Sequence, residues 1–297
     1  MLAPIAVAAR QHTLHTAALA EWAAGSSVVL RLTGTGARAW LAERKGDVHL
    51  LTADGERRPA IFTAVPGQPQ ITRAKLDASL ARVLSSFRRS QGAQFTRIWI
   101  FDPAGRLLGS SEGAGSSPSR TVRSVARASL GVDSVLVSQI FTHGDGSSAL
   151  AFAERVVDPR QRGGSSETVL GSIVLVVDPR LALFPALDGG SLGARGERTA
   201  LLMAHGDSVF EYSLTAEGSR TPRVRPGRGL SRFEQVALDG PTVARGAGAG
   251  IAHVLGRDSV VELVRPVPGV DWAVVRSASP EGSGLTEPPP TEAPPAA

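Results

Sequence analysis

Two stretches of this chain follow the same plan about one hundred residues apart, and this internal repeat limits the folds that the chain can adopt. Residues 95–110 and 198–213 each show the pattern of a strand, a tight turn and a second strand. Both are followed by a helix-like segment and by two further strand-like runs, which also recur: 148–158 resembles 259–269, and 171–177 resembles 269–275. The offsets between the copies differ, which excludes a solenoid of fixed period. The repeat therefore predicts one αβ unit used twice, with loops of different length.

The composition limits the possible functions. A chain of 297 residues can form two domains that each bury a core, and 42% hydrophobic with 20% charged residues is ordinary for a globular protein. The absence of cysteine excludes disulfide scaffolds, thiolate metal sites and cysteine nucleophiles.

All 32 basic residues except Lys45 and Lys75 are arginine; they are scattered along the chain, and aromatic residues make up only 5%. A nucleic-acid interface needs clustered basic residues with aromatic residues between them, so we expect no nucleic-acid partner.

The distribution of apolar residues bears on membrane insertion. No run of 18 or more apolar residues is present, so no segment is expected to span a bilayer by itself. The apolar start, residues 1–9, lacks the basic region of a signal peptide. This segment is equally consistent with the C-terminal end of a membrane helix and with the frayed first turn of a helix in a globular domain.

Apolar periodicity predicts the order of helices and strands. A long first helix is predicted up to about residue 51; Gly25, Gly34 and Gly36 allow either one helix with an irregular centre or two shorter helices. Further helices are predicted at 71–89, 119–130, 179–187 and 231–245. Strands are predicted at 95–101, 106–110, 134–142, 149–158 and 168–177 in the first copy, and at 199–204, 209–214, 250–255, 259–266 and 272–277 in the second.

These elements predict an α+β protein in which a long N-terminal helix precedes two modules, each an antiparallel sheet of about five strands with flanking helices. The predicted boundaries are a stalk helix at 1–55, a first module at 56–187, a second module at 188–279 and a tail at 280–297. The tail is rich in proline and has too few apolar residues to pack, so we expect it to be disordered or a linker.

Patterns for catalytic or metal chemistry are weak in this sequence. The run 109–113 (GSSEG) matches the G-x-S-x-G nucleophile elbow, but no helix follows directly, as that motif requires. His12 and His15 have the spacing of zinc ligands on a helix, without a third ligand nearby. The glycine-rich run 246–250 follows a predicted helix and precedes a strand, the reverse of a phosphate-binding loop. We therefore expect no enzyme activity, no metal ion and no cofactor.

Five segments, taken in order, resemble the double Cache sensor domains of bacterial transmembrane receptors such as sensor histidine kinases. The segment 40–48 (WLAERKGDV) is similar to the family's Trp-x-x-x-Arg-x-x-Asp stretch at the end of the stalk helix. Residues 98–111 resemble the opening hairpin of the membrane-distal module, and 170–179 resemble its closing strand and exit helix. Residues 201–210 and 265–275 resemble a hairpin and the closing strand of the membrane-proximal module.

The resemblance implies two PAS-like modules, of which the distal one binds a small metabolite and the proximal one passes motion to a transmembrane helix. In the family the pocket is built after the first hairpin, where many members carry an arginine near an aromatic pair; here Ser124 and Val125 replace that pair. The residues at the expected pocket are Arg120, Arg123, Gln139, Phe141 and Asp158. Arginines there suit a carboxylate-bearing ligand through bidentate hydrogen bonds. The alternative for each is a solvated surface arginine in an arginine-rich chain.

The implied function is the extracytoplasmic ligand-binding sensor region of a bacterial transmembrane signalling receptor: a sensor kinase, a diguanylate cyclase or a chemoreceptor. Its implied location is the periplasmic or extracellular side of the cell membrane. Its implied partners are a small-molecule ligand, a second copy bound through the N-terminal helix, and the membrane, reached through flanking helices absent from this chain. The alternative is a ligand-free dimerisation or protein-interaction module of a membrane-associated protein.

Overall fold

The computed structural model describes residues 3–53, 72–143, 146–158, 168–188, 197–205, 208–215, 218–219, 223–226, 250–254, 260–267 and 270–278. The chain divides into two compact units. Residues 39–185 form the first, named module A, and residues 1–38 together with 186–297 form the second, named module B.

Helix α1 (Ala3–Ala53) is continuous, so the first of the two alternatives left open by the sequence is the one observed. Each glycine in a helix costs roughly 1 kcal/mol relative to alanine. Burial of apolar side chains such as Leu30 and Val48, both 0% exposed, offsets that cost. The first part of α1 belongs to module B and its last part to module A.

Module A is built on a six-stranded antiparallel sheet. Its strands are β1 (Phe95–Phe101), β2 (Leu107–Ser110), β3 (Leu136–Val137), β4 (Phe141–Thr142), β5 (Ser148–Val157) and β6 (Val169–Val177). They lie in the order β2-β1-β6-β5-β3, and β4 also pairs with β5. The helices that accompany this sheet are α2 (Arg73–Gln91), α3 (Arg120–Ser129) and α4 (Leu183–Asp188), the last preceded by a 3₁₀ turn at Pro179–Leu181.

The prediction of a single strand at 134–142 is wrong, because the side chain of Ser138 occupies a position in the ladder. Ser138 N donates to Ala151 O at 2.8 Å, and Ala151 N donates to Ser138 Oγ at 2.9 Å. The hydroxyl replaces the backbone carbonyl that a regular strand would present. The segment is therefore divided into the short strands β3 and β4.

Helix α1 packs on one face of the module A sheet through the segment 40–48. Trp40 meets Phe152 edge to face with ring centroids 5.9 Å apart, and the Arg44 guanidinium lies 5.1 Å from the centre of the Phe95 ring. Arg44 Nε also lies 3.1 Å from Asp47 Oδ2. Burial raises the pKa of Asp47, and the opposing effect of the Arg44 charge is smaller. The motif at 40–48 is thus the contact between the helix and the sheet.

Helix α3 covers the opposite face. Ser119 caps its start by accepting a hydrogen bond from Val122 N, and the apolar spacing of the helix turns Val122, Val125 and Ala126 inward. Small residues on β5 leave room for the close approach of α3: Ala149, Ala151 and Ala153.

Module B contains a seven-stranded antiparallel sheet in the order β10-β8-β7-β13-β12-β11, with β9 beside β8. Its strands are β7 (Glu197–His205), β8 (Ser208–Thr215), β9 (Gly218–Ser219), β10 (Arg223–Pro226), β11 (Gly250–Val254), β12 (Val260–Val267) and β13 (Trp272–Ala278). No strand was predicted where β9 and β10 lie. Strand β10 is an edge strand whose Val224 is 59% exposed, and an edge position tolerates Pro226.

Two sequence predictions fall on residues that the structure does not describe. The helix predicted at 231–245 and the tail at 280–297 both lie outside the described residues. Within the described helices, no segment is long and apolar enough to cross a membrane.

The turn between β1 and β2 is held by the Asp102 carboxylate. Oδ1 accepts from Arg106 N at 2.8 Å, and Oδ2 accepts from Arg106 Nε at 2.7 Å. Gly105, with φ of 75°, donates its N–H to Asp102 O at 2.9 Å. Burial alone would raise the pKa of Asp102, but the hydrogen bonds and charge of Arg106 outweigh burial and lower the pKa below its usual value.

We predict that Asp102→Asn destabilises the fold at neutral pH and much less in acid. A carboxyl group whose pKa is lower in the folded than in the unfolded chain stabilises the fold fully above the unfolded value of about 3.9, and this contribution is lost as the pH falls through the folded value. At pH 7 the variant should lose about 1 kcal/mol, or roughly 2–4 °C of melting temperature. Melting curves of both proteins across pH 2–7 measure the difference, and an equal difference at every pH would contradict this account.

Candidate functional site

The face of the module A sheet that carries α3 is apolar at its centre and polar at one end. Because side chains alternate along a strand, β1 places Arg97, Trp99 and Phe101 on this face. Trp99 and Phe101 belong to an apolar cluster with residues of α3, β4, β5 and β6. Arg97 lies at the polar end, where the turn after β2 and the end of β4 meet it.

The Arg97 guanidinium joins two segments that are distant in the sequence. Its Nε donates to Glu112 Oε1, and its Nη1 lies 2.5 Å from His143 Nδ1. A guanidinium has only donors, so His143 Nδ1 is the acceptor and carries no proton in this arrangement. The His143 ring also packs edge to face on Phe141, with centroids 5.1 Å apart. The side chains of Arg97 and Glu112 are 21% and 34% exposed, so this group reaches the surface of the module.

The indole N–H of Trp99 has no acceptor among the described residues, although Trp99 is only 2% exposed. A buried donor without a partner costs about 1–3 kcal/mol. Trp99 is two residues from Arg97 on the same face of β1, so roughly 7 Å of strand separates their Cα atoms. We name the group formed by Arg97, Trp99, Glu112, Phe141 and His143 the Arg97 site.

A second tryptophan in module A, Trp40, also has an indole N–H without a partner among the described side chains. Its surroundings differ, because its neighbours on α1, Arg44 and Asp47, are only 2% and 4% exposed. A ligand could reach that nitrogen only by separating α1 from the sheet. The Arg97 site has a polar and partly exposed border, which makes it the better candidate for binding.

The predicted site residues on α3 lie at the start of that helix. Arg120 is the first helical residue and is exposed. Arg123 is half-buried and folds back onto the preceding loop, where Nε donates to Pro118 O and Nη2 to Ser117 Oγ, both at 3.4 Å.

The other three predicted residues lie on or beside the strands. Phe141 is 5% exposed and belongs to the Arg97 site, whereas Gln139, two residues earlier, is exposed. Asp158 follows β5, is half-buried, and donates its backbone N–H to Thr168 O at 2.9 Å. Of the five predicted residues, Phe141 joins the group at Arg97 through its ring contact with His143.

Sequence reasoning missed Arg97, Trp99, Glu112 and His143. One signal for the first two is present in the sequence: Arg97 interrupts the apolar strand 95–101 and shares the face of Trp99 by the two-residue period of a strand. Nothing local links them to His143, since that contact depends on how β1, β5 and β4 are ordered in the sheet. Among the described residues, no three histidine or carboxylate side chains come together in a way that could hold a metal ion.

No known family model and no curated protein sequence matches the chain. Solved structures do match over nearly its whole length. The ligand-binding domain of the Campylobacter jejuni chemoreceptor Tlp3, in complex with L-norvaline, has a TM-score of 0.55 and 10% sequence identity, and the match covers 94% of this chain and 96% of that domain. The extracellular domain of soHK1S-Z6, a protein assigned as a histidine kinase, has a TM-score of 0.56 and 11% identity, with 91% and 98% of the two chains covered.

The likeness to these two structures concerns the fold. A long N-terminal helix followed by two antiparallel sheets with flanking helices is what the sequence predicted, and the structure and its neighbours confirm that α+β architecture. The sheets contain six and seven strands rather than about five, because the short strands were not predicted separately. The chain therefore has the fold of extracytoplasmic ligand-binding domains of chemoreceptors and sensor kinases, in agreement with its resemblance to double Cache domains.

Proposed function

We propose that this chain is the extracytoplasmic sensor region of a bacterial transmembrane signalling receptor, and that a small molecule binds to module A at the Arg97 site. The observation that carries the proposal is the buried Trp99 indole N–H, which lacks an acceptor among the described residues and lies beside a partly exposed guanidinium. The shared fold with a domain whose structure contains L-norvaline supports the class of function.

The chemistry of the Arg97 site favours a ligand that carries an oxygen acceptor, with a carboxylate as the best candidate. Such a group can accept a hydrogen bond from Trp99 Nε1 and pair with the Arg97 guanidinium. In the structure, Glu112 and His143 already accept from the donors of the Arg97 guanidinium. A ligand that replaces one of these contacts and supplies the missing acceptor stabilises a different conformation of the site, which is the requirement for a sensor.

The proposal places the chain on the periplasmic or extracellular side of the membrane and assigns it no catalytic step. The receptor's output, whether kinase, cyclase or chemoreceptor, acts elsewhere in the protein that carries this region. Residue Arg123 remains a candidate for the rim of the site, because it is half-buried in the first turn of α3. Asp158 does not lie there: Arg97 pairs with Val176, which pairs with Ala151, and Asp158 follows the other end of β5.

We predict that one or more small carboxylates in a metabolite panel raise the melting temperature of the purified chain. A ligand at one hundred times its Kd adds about 2.7 kcal/mol, or roughly 5–10 °C for a chain of this size. Trp99→Phe and Arg97→Gln should abolish that shift. Trp99→Phe alone removes the donor that has no acceptor but leaves a cavity where the larger indole stood, so its ligand shift is measured against its own ligand-free melting temperature.

The matched control for Arg97→Gln is Arg82→Gln, which removes the same charge from an exposed position on α2 and should retain the full shift. Arg123→Ala tests the rim, and Asp158→Ala tests the position predicted from the sequence at the far end of β5. The ligand shift could survive Trp99→Phe and Arg97→Gln but be lost in Arg123→Ala and Asp158→Ala. That result would reject the Arg97 site and indicate that the ligand binds at the residues predicted from the sequence.

A specific observation supports self-association as a second function. Val28 and Leu32 are 44% and 59% exposed on α1, and because they are four residues apart they lie on one face of the helix. We propose that this face contacts a second copy of the chain.

Val28→Lys combined with Leu32→Glu should convert a dimer into a monomer, measured by light scattering coupled to size-exclusion chromatography. Apolar side chains at an interface core contribute about 1–2 kcal/mol or more each, so the pair should weaken dimerisation at least tenfold. Leu181→Lys, which changes another exposed apolar residue (55%), is the control and should leave the mass unchanged. A wild-type chain that is monomeric at all concentrations would reject this second function.

A further inference from the structure

A buried carboxylate in module B connects the first helix of the chain to its last described strand. Glu197 is the first residue of β7. Its Oε1 accepts a hydrogen bond from Trp22 Nε1 of α1 at 3.0 Å, and its Oε2 accepts from Arg276 Nη2 of β13 at 2.5 Å. The two contacts bridge 175 and 79 residues of sequence, so neither comes from local chain geometry.

The register of the sheet explains why the three side chains meet. In the β7–β13 pair, Thr199 lies opposite Arg276, and Glu197 lies opposite Ala278. Residues 197 and 199 share a face because side chains alternate, so Glu197 and Arg276 are diagonal neighbours on that face. Arg276 Nη1 also donates to Thr199 Oγ1 at 3.3 Å. Trp22 reaches the same carboxylate from the helix above that face.

This ion pair is almost removed from water. The side chains of Arg276 and Glu197 are 6% and 9% exposed, and Trp22 is 9% exposed. Breaking a buried pair by removing or withdrawing one partner leaves a buried charge without compensation, which is strongly unfavourable. A shift of α1 by one helical turn, about 5.4 Å, would take Trp22 out of reach of Glu197. Movement of α1 is thereby opposed unless the Glu197–Arg276 pair moves with it.

We propose that Glu197 mechanically couples α1 to β13, so that a displacement of either element is transmitted to the other. The coupling itself is a property of module B; its role in signalling rests on the sensor function proposed above. Trp22 is the helix-side contact and Arg276 the strand-side contact, while Thr199 orients the guanidinium.

Hydrogen exchange of the full chain, without any ligand, tests this coupling. Trp22→Phe retains an aromatic ring and removes the N–H that reaches Glu197 together with the second ring of the indole. We expect it to speed amide exchange about threefold to tenfold in β13, residues 272–278, as well as in the described part of α1 around residue 22. Amides of β1 and β6, which belong to module A, should exchange at the wild-type rate.

The converse perturbation should give the converse result. Arg276→Gln acts on β13 and should speed exchange in α1 around residue 22 by a similar factor. Arg38→Gln, which makes the same change at an exposed position of α1, is the matched control and should leave β13 unchanged. Because both contacts share one carboxylate, the double variant should exchange less than the product of the two single effects.

Exchange that rises only in α1 in Trp22→Phe, or only in β13 in Arg276→Gln, would overturn the coupling. So would a double variant whose effect equals the product of the single effects. If Arg276→Gln fails to fold, Glu197→Gln replaces it: it retains an oxygen acceptor for Trp22 but loses the charge, and it should speed exchange in β13. None of these outcomes depends on a ligand, so the coupling and the Arg97 site fail independently.

Discussion

Both faces of the module A sheet are buried, and the rest of that module depends on this constraint. Along β1, the consecutive residues Ile98, Trp99, Ile100 and Phe101 are all 0–2% exposed, although their side chains alternate between the two faces. A sheet of this kind is stable only if both faces are covered. The end of α1 packs on one face and α3 on the other, and the apolar residues of α2 pack against β1 and β2, so all three helices contribute to the cover.

A doubly covered sheet tolerates few charged groups, because a buried charge is costly unless it is paired. On the α1 side, Arg44 lies over an aromatic ring and pairs with Asp47, whose pKa burial raises. On the α3 side, Arg97 pairs with Glu112 and His143. The first group is sealed beneath a helix, while the second reaches the surface of the module. Both groups contain an arginine and a tryptophan, but only the group at Arg97 can be reached by solvent. We therefore interpret the group at Arg44 as a packing motif and the group at Arg97 as a binding site.

The alternation of apolar residues was enough to predict the long strands and the two-module α+β fold, because a period of two residues is a local property. It did not predict the break at Ser138, where a hydroxyl replaces a backbone carbonyl, or the edge strand β10. The orientation of α3 was readable from its apolar spacing, which turns Val122, Val125 and Ala126 inward and leaves Arg120 outside. The contact of Arg97 with His143 was not readable, since it depends on strand order.

The two modules differ in what their buried polar groups can do. At the Arg97 site a donor lacks an acceptor among the described residues, so an incoming oxygen atom can change the free energy of the site by forming a bond that is otherwise missing. At Glu197 both carboxylate oxygens are already bonded to partners on different elements, so the carboxylate resists separation of those elements. Arg276 Nε is a buried donor without an acceptor among the described residues, but the side chains of this pair are only 6% and 9% exposed. A repeated αβ unit can therefore use its buried polar groups differently in its two copies: a buried donor beside a partly exposed charge in one, and a buried ion pair that holds two elements together in the other.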